Sequence, residues 1–202
     1  TGDILPDSGK ILFKGKDITQ LKAHQRARLG MARSFQITHI FDRLTVEENM
    51  GLALCAHNGH NFRFWRNALK TREIKQRLPD ALARVDLLYR AGLPASHLSH
   101  GEKRQLEVGM ALAGSPDLLI LDEPMAGMGP GGTVELTKLI QGIKGELTIL
   151  MVEHDMDVVF SLADQVTVLV YGKSIATAPP EDIRKDQQVR QAYLGEEDGC
   201  SR

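Results

Sequence analysis

Three strand-length apolar runs in the second half of the chain limit the folds that are open to it. They occupy residues 118–121, 148–152 and 166–170, and a helical pattern at about 132–143 separates the first two. Continuous apolar runs of this length are typical of strands covered on both faces, and their alternation with helices indicates parallel strands joined by crossover helices. We therefore expect an α/β fold with a mostly parallel sheet.

The third run is followed by a reversal of the chain. Tyr171, Gly172 and Lys173 lead into residues 174–177, which predicts a hairpin. Pro179 and Pro180 then break the chain ahead of two short polar helices, which should end at about residues 194–195. The acidic, glycine-containing tail beyond them is expected to fray.

The first half of the chain carries a different pattern. The sequence of residues 10–14 predicts a strand, and that of residues 15–17 predicts a turn. Thr45 and Glu48 form a capping box, which predicts a helix that runs to about His57. Residues 58–95 show charged helical sequence and one tryptophan, Trp65. The predicted organisation is an α/β core over residues 1–57 and 96–202, a helical subdomain inserted at 58–95, and short helices with a tail at 178–202.

Charge balance argues against one class of function. The 202 residues include 25 Lys and Arg against 26 Asp and Glu, a net charge of −1, whereas nucleic-acid binders that rely on bulk electrostatics normally carry a basic excess. No apolar run approaches the roughly 20 residues that span a bilayer. Cys55 and Cys200 lie far apart, which indicates reduced intracellular thiols rather than a disulfide framework.

Two adjacent carboxylates follow the first apolar run. Asp122 and Glu123 stand at the carboxyl end of the predicted strand, where open α/β sheets place their ligands. Alternation along the strand points them to different sides, so one could help to hold Mg²⁺ while the other orients an attacking water. The alternative is a strand that ends in a solvated acidic turn, since short strings of this kind also arise by chance.

A second candidate site is a helix start at residues 98–105. Ser99 and Glu102 form another capping box, which predicts a helix that continues to about Ala113. A helix N-terminus with Ser99 and Gly101 in its first turn presents unpaired backbone N–H groups and a positive dipole end, which suit a phosphate. Taken alone, the same pattern also fits a well-capped surface helix.

Two further residues gain meaning only from their order along the chain. Gln36 closes a short apolar stretch and His154 follows the second predicted strand, and each alone would be a loop or structural residue. The series of Gln36, the helix start at Ser99, the two acids and then His154 resembles the ATP-binding subunits of ABC (ATP-binding cassette) transporters. The resemblance covers nearly the whole chain and implies a P-loop NTPase-like ABC ATPase core.

The resemblance assigns a role to each residue of the series. Gln36 would be the Q-loop glutamine, which contacts Mg²⁺ and lies where the membrane partner binds. Asp122 would be the Walker B aspartate that holds Mg²⁺, Glu123 the general base, and His154 the switch histidine near the γ-phosphate of ATP. The signature motif, commonly Leu-Ser-Gly-Gly-Gln, would comprise Ser99, His100, Gly101 and Glu102 after Leu98.

The family's phosphate cradle, Gly-x-x-x-x-Gly-Lys-Ser/Thr (Walker A), does not occur in these 202 residues. Gly172-Lys173-Ser174 fails because Thr167 stands where the first glycine should be. The chain opens with Thr, so we expect the cradle's strand, loop and helix to have been lost ahead of it. The chain alone should then bind ATP weakly or not at all, and apolar sheet surface should be exposed.

Within the family, the sequences around Gln36, Gly129, His154 and Leu194 resemble importers of branched-chain amino acids, and lipopolysaccharide-export ATPases share the short ending. Gly129 stands where an Asp that contacts the opposite subunit is usual. The implied partners are transmembrane permease subunits, a second ATP-binding subunit and, indirectly, a periplasmic solute-binding protein, with no nucleic acid. The implied location is cytoplasmic, peripheral on the inner face of the cell membrane.

The permease would bind a groove formed by the helical subdomain and the loop after Gln36. This loop contains Ile37, Ile40 and Phe41, although each of these apolar residues equally fits an interdomain core.

Two other functional classes stay open. Soluble ABC proteins of DNA repair or translation use the same motifs, but they usually carry a coiled coil or a second cassette. A non-catalytic interaction module would donate only Ser99 and Gly101 to a partner's site.

Overall fold

The computed structural model describes residues 2, 4–34, 40–57 and 71–194. Contacts divide the chain into two compact units, Thr1–Val152 (unit 1) and Glu153–Arg202 (unit 2). The helical region after residue 70 therefore groups with the sheet in unit 1, while the hairpin groups with the C-terminal helices in unit 2. The three predicted domains stay a prediction beside this division.

Unit 1 contains five strands and five α-helices among its described residues. In chain order these are β1 (Leu12–Phe13), β2 (Lys16–Asp17), α1 (Ala23–Arg28), β3 (Met31–Arg33), α2 (Val46–His57), α3 (Arg72–Ala83), α4 (His100–Leu112), β4 (Leu118–Asp122), α5 (Pro130–Ile143) and β5 (Thr148–Val152). Short 3₁₀ turns at Leu88–Arg90 and Ala95–His97 connect α3 to α4. None of the described helices has both the length and the hydrophobicity that a membrane span requires.

A three-stranded parallel sheet, in the order β3-β4-β5, forms the centre of unit 1. Its register pairs Met31 with Leu118 and Asp122 with Val152, so the carboxyl ends of β4 and β5 lie level. The predicted strands at 118–121 and 148–152 are confirmed, as is the parallel arrangement. The small β1–β2 ladder is antiparallel, and it corrects the predicted turn at 15–17 because Lys16 and Asp17 pair with Phe13 and Leu12.

Gly30 allows β3 to start beside β4. Its φ is +99°, in the left-handed region, and a Cβ at this position would collide with the Asp117 carboxylate. The Gly30 carbonyl accepts hydrogen bonds from the N–H groups of Asp117 (2.8 Å) and Leu118 (3.1 Å). These two bonds fix the register at the beginning of the sheet.

Burial on the sheet is uneven. Leu119 and Leu121 of β4 are fully buried, whereas Leu150 and Val152 of β5 are each 54% exposed. Among the described residues β5 pairs only with β4, so β5 is an edge strand. This agrees with the expectation of exposed apolar surface on the sheet and corrects the expectation that a run such as 148–152 is covered on both faces.

Helices α2 and α4 start at capping boxes that the sequence predicts. The Thr45 hydroxyl accepts from the Glu48 N–H (3.2 Å), and the Glu48 carboxylate accepts from the Thr45 N–H (2.8 Å). Met50 and Leu54 of α2 and Leu106 of α4 form part of the core of unit 1. Cys55, also on α2, is a buried free thiol, while Trp65 and Cys200 lie outside the described residues.

Unit 2 is a hairpin with helices packed on it. It contains α6 (Met156–Leu162), β6 (Val166–Val170), β7 (Lys173–Ala178), α7 (Pro180–Ile183), α8 (Gln187–Val189) and a π-helical turn at Arg190–Leu194. β6 and β7 are antiparallel, which confirms the predicted hairpin and places Gly172 in its turn with φ +76°. The core of this unit consists of Val166, Val168, Ile183 and Val189.

Two glycines in helices provide a matched test of the packing. A Cβ at Gly109 of α4 would lie 2.7 Å from Met50 Cε and 2.9 Å from Val85 Cγ1, whereas a Cβ at Gly142 of α5 meets nothing within 4 Å. We expect Gly109→Ala to lower the free energy of unfolding by about 1–2 kcal/mol, because overpacking exceeds the gain in helix propensity.

In contrast, Gly142→Ala should raise the free energy of unfolding by about 0.5–1 kcal/mol, because it gains helix propensity without crowding a neighbour. Urea denaturation followed by circular dichroism measures both changes. A stability for Gly109→Ala equal to that of Gly142→Ala would contradict the tight packing of α4 against α2.

Candidate nucleotide site

Asp122 lies at the carboxyl end of β4, as the sequence predicts. Its Oδ2 accepts a hydrogen bond from the Arg33 guanidinium at 2.8 Å, and the side chains of Arg33 and Asp122 are 27% and 32% exposed. Arg33 ends β3, the neighbouring strand, so parallel pairing brings the two ends together. The sequence interpretation missed Arg33, whose only sequence signal is its position at the end of a short strand.

An accessible carboxylate at a strand end fits the way Mg²⁺ binds in nucleotide sites, through one or two carboxylates together with phosphate oxygens and water. Asp122 is such a carboxylate. Among the described residues no cluster of three or more His, Cys, Asp or Glu side chains could hold a metal by itself. Gln36, the other predicted Mg²⁺ ligand, lies outside the described residues.

Glu123 takes an unusual backbone conformation. Its φ is +44°, in the left-handed region that non-glycine residues rarely adopt. Its N–H donates to the Val152 carbonyl at 2.9 Å, and its carbonyl accepts from the Ala126 N–H at 3.1 Å. The main chain therefore turns sharply after β4, and strain of this kind often accompanies functional sites.

The N-terminus of α4 has the predicted capping box. The Ser99 hydroxyl accepts from the Glu102 N–H (3.2 Å), and Glu102 Oε2 accepts from the Ser99 N–H (2.8 Å). Glu102 Oε1 accepts from Arg90 Nε (2.8 Å) and from the Tyr89 hydroxyl (3.3 Å). Both carboxylate oxygens of Glu102 thus bind groups within the protein, a structural role that the assignment to nucleotide binding missed.

These contacts set the charge state of Glu102. Burial alone raises its pKa, but the N–H of Ser99 and the guanidinium of Arg90 outweigh that effect, so its pKa lies below the ordinary 4.5. The carboxylate is therefore ionised at neutral pH. It joins the helical region that contains Arg90 to the first turn of α4.

Helix α4 also begins in close contact with the segment that follows Glu123. A Cβ on Gly101 would lie 3.2 Å from Gly132 Cα, and one on Gly127 would lie 3.7 Å from His100 Cε1. A glycine at 101 therefore lets two helix starts approach closely, in addition to any contact with a phosphate. The predicted signature residues and the predicted catalytic turn consequently belong to one packed region of unit 1.

His154 belongs to unit 2, immediately after β5 in the sequence. Its side chain is 73% exposed, its N–H donates to Glu153 Oε2 (2.9 Å), and its Nδ1 lies 3.5 Å from the same oxygen. Asp155 caps α6 by accepting from the N–H groups of Asp157 and Val158. The proximity of His154 to Asp122 and Glu123 stays a prediction.

Comparison with known protein families identifies the family of this chain. The family model described as ABC transporter matches residues 1–126, and the model described as branched-chain amino acid ATP-binding cassette transporter matches residues 173–199. The chain belongs to the ABC transporter ATP-binding family. The predicted resemblance and fold class are thereby confirmed.

Individual relatives place the ABC cassette more narrowly. The high-affinity branched-chain amino acid transport ATP-binding protein LivG of Escherichia coli K12 is 36% identical, with the match covering 97% of this chain and 80% of LivG. The lipopolysaccharide export system ATP-binding protein LptB of Haemophilus influenzae is more distant, at 31% identity over 97% of this chain and 78% of LptB. Of these two relatives, the branched-chain amino acid protein is the more similar to this chain.

Solved structures agree with the fold. The ADP conformation of MJ1267, described as an ATP-binding cassette of an ABC transporter, superposes with a TM-score of 0.81 at 27% identity, and the match covers 97% of this chain and 80% of that one. The family relationship implies ATP binding, and hydrolysis coupled to transport, as the family's activity.

The lowered pKa of Glu102 predicts how acid affects this region. A carboxylate whose pKa is depressed by folding contributes stability above its ordinary pKa and loses that contribution as the pH falls through the folded value. We expect Glu102→Gln to be about 1 kcal/mol less stable than the wild type at neutral pH, because charged hydrogen bonds are lost. The difference should vanish as the pH falls well below 4.5.

Urea unfolding over a series of pH values measures this difference, with Glu135→Gln as the control. Glu135 is an exposed residue of α5, so its variant should follow the wild type at every pH. A constant gap between Glu102→Gln and the wild type across the acid range would contradict the assigned charge state.

Proposed function

We propose that this chain is the ATP-binding and ATP-hydrolysing subunit of an ABC importer of branched-chain amino acids or related small solutes. The observation that carries the proposal is the packing of the α4 start, with Ser99 and Gly101, directly against the segment that follows Asp122 and Glu123. The 36% identity to LivG over nearly the whole chain supports the same substrate class.

The proposal assigns a separate chemical role to Asp122, Arg33 and Glu123. Asp122 would hold Mg²⁺, and the hydrogen bond from Arg33 keeps the Asp122 carboxylate at the strand end. Glu123 accepts the proton of a water that attacks the γ-phosphate in line, and the Glu123–Val152 hydrogen bond fixes its backbone. Mg²⁺, when bound with ATP, neutralises charge that develops on the phosphates.

Ser99 and the amide of Gly101 would act on the ATP of a second ATP-binding subunit, because family members pair head to tail. The N-terminus of α4 supports this role through its N–H groups and the positive end of the helix dipole. His154 would stabilise charge on the γ-phosphate and Gln36 would contact Mg²⁺. Each ATP in the pair then lies between two subunits, so each subunit serves two sites.

In this proposal the permease subunits would bind a surface of unit 1 that two neighbouring segments form. Backbone hydrogen bonds join residues 42–47 to residues 91–96, for example Ser96 N–H to the Asp42 carbonyl (3.0 Å) and Val46 N–H to the Leu93 carbonyl (2.9 Å). The exposed apolar residues on and beside these two segments are Phe41, Leu88, Tyr89 and Leu93, with 36–67% of their area accessible. This surface supports the predicted groove, with the complex peripheral on the cytoplasmic membrane face.

Two alternatives differ in cargo or in catalysis. Lipopolysaccharide export is supported by the 31% identity to LptB. A non-catalytic interaction module is supported by the start of α4, where Ser99 and the Gly101 amide could serve a partner's site without catalysis by this chain.

The first test concerns ATP. We expect calorimetry to detect weak or no binding of Mg²⁺–ATP by the 202-residue chain, because most phosphate ligands of the family come from the cradle. A chimera that places a LivG strand, phosphate loop and helix before residue 1 should bind and hydrolyse ATP. Tight Mg²⁺-dependent binding by the chain itself would contradict the proposed weakness.

In that chimera, Glu123→Gln should lower kcat by about 10²–10⁴-fold with little change in ATP affinity, because it removes a general base. Glu135→Gln is the matched control on an exposed helix face, and its kcat should equal that of the parent. Turnover of Glu123→Gln at the parent rate would reject the base assignment, and a chimera without turnover would favour the interaction module.

The second test concerns the cargo. Proteoliposomes that carry the chimera with branched-chain permease subunits should hydrolyse ATP faster when a binding protein loaded with leucine is added, because import subunits respond to loaded binding protein. Ligand-free binding protein serves as the control. Stimulation by lipopolysaccharide with its export permease, and none by leucine, would favour the export alternative.

A further inference from the structure

Arg104 is the most buried charged side chain that the described residues of α4 contain, with 1% of it exposed. A guanidinium is costly to bury unless every part of it is paired. Its Nη1 donates to Glu107 Oε2 at 2.7 Å, its Nε to the Pro124 carbonyl at 3.1 Å, and its Nη2 to the Glu123 carbonyl at 3.2 Å. The partner carboxylate, Glu107, is itself 7% exposed.

The two carbonyls belong to the turn in which Glu123 has its left-handed φ. Such a conformation is unfavourable by about 1–3 kcal/mol and persists only where its surroundings enforce it. Arg104 supplies that enforcement from outside the turn, because one planar group holds both carbonyls at once. Lysine cannot reproduce this contact, since its single ammonium lacks the fork of donors.

The geometry also joins two functional regions. Arg104 lies one turn into α4, beyond Ser99 and Gly101, while its guanidinium binds the backbone that carries Glu123. On the proposed function, the start of α4 serves the ATP of the partner subunit and Glu123 serves the subunit's own ATP. A rigid contact between them would move both together.

We propose that Arg104, paired with Glu107, is a positioning residue that aims the Glu123 side chain by holding its main chain. This proposal rests on the proposed function. Arg104 itself is buried, and its guanidinium binds main-chain oxygens. It acts through the backbone of residues 123 and 124.

Hydrogen exchange in the 202-residue chain tests whether Arg104 holds the turn at Glu123 and Pro124. This measurement needs no ATPase activity. The variant pairs Arg104→Met with Glu107→Leu, because replacing both charges leaves no unpaired ion in the core and often preserves stability. We expect the Ala126 amide, which donates to the Glu123 carbonyl, to exchange about tenfold or more faster than in the wild type. Exchange in α5 should not change.

Arg77→Met is the matched control, because Arg77 also donates to a backbone carbonyl, that of Ala113, away from the catalytic turn. Its effect on Ala126 exchange should be negligible. Unchanged Ala126 exchange in both the double variant and Arg104→Lys would overturn the proposal, and the lysine variant keeps this test available if the double variant fails to fold.

The effect of Arg104 on catalysis is tested in the chimera that carries the LivG strand, phosphate loop and helix. The double variant and Arg104→Lys should each lower kcat by about 10²-fold with KM for ATP nearly unchanged, because small misplacement of a catalytic group has an effect of this size. Arg77→Met should retain the parent kcat.

Combining Arg104→Lys with Glu123→Gln distinguishes an effect of Arg104 through Glu123 from a general loss of active-site structure. If Arg104 acts through Glu123, then adding Arg104→Lys to Glu123→Gln lowers kcat no further, whereas independent losses multiply. Multiplying losses, or parental kcat in Arg104→Lys, would overturn the proposal. Failure of the proposed function is distinguishable, because Glu123→Gln alone would then leave kcat unchanged.

Discussion

Parallel pairing of β4 with β3 on one side and β5 on the other is the constraint on which the rest of unit 1 depends. It brings the end of β3, with Arg33, to the end of β4, with Asp122, and sets Val152 of β5 opposite. Parallel neighbours need crossover connections, and the helices α2 to α5 provide them. Leu119 and Leu121 of β4 are fully buried, so the Asp122 carboxylate lies at the end of a strand that is anchored in the core.

Features that depend on near neighbours in the sequence could be predicted. The capping boxes at Thr45 and Ser99 each involve two residues three positions apart, and the structure confirms both sets of hydrogen bonds. The strands at 118–122, 148–152 and 166–170 could be predicted because each lies in a short run rich in aliphatic and β-branched residues that ends at polar or turn residues. The order of Gln36, Ser99, Asp122 and His154 led to the family, which the comparisons confirm.

Features that depend on distant residues could not be predicted. Arg33 and Asp122 are 89 positions apart, and no local pattern links them. Arg104 and Glu107 have the spacing of an ordinary solvent-facing ion pair on a helix, but in the fold both are buried and Arg104 contacts the turn after β4. Lys16 and Asp17 were assigned to a turn on local propensity, but a two-residue ladder with Phe13 and Leu12 overrides it.

The half-exposed side chains of Leu150 and Val152 have a consequence for the life of the protein in a cell. They lie on an edge strand, whose free backbone groups and apolar surface invite addition of further strands. In a cell, chaperones and proteases recognise exposed apolar edges of this kind. A strand or helix that packs on this flank would bury Leu150 and Val152 and so remove them from that recognition.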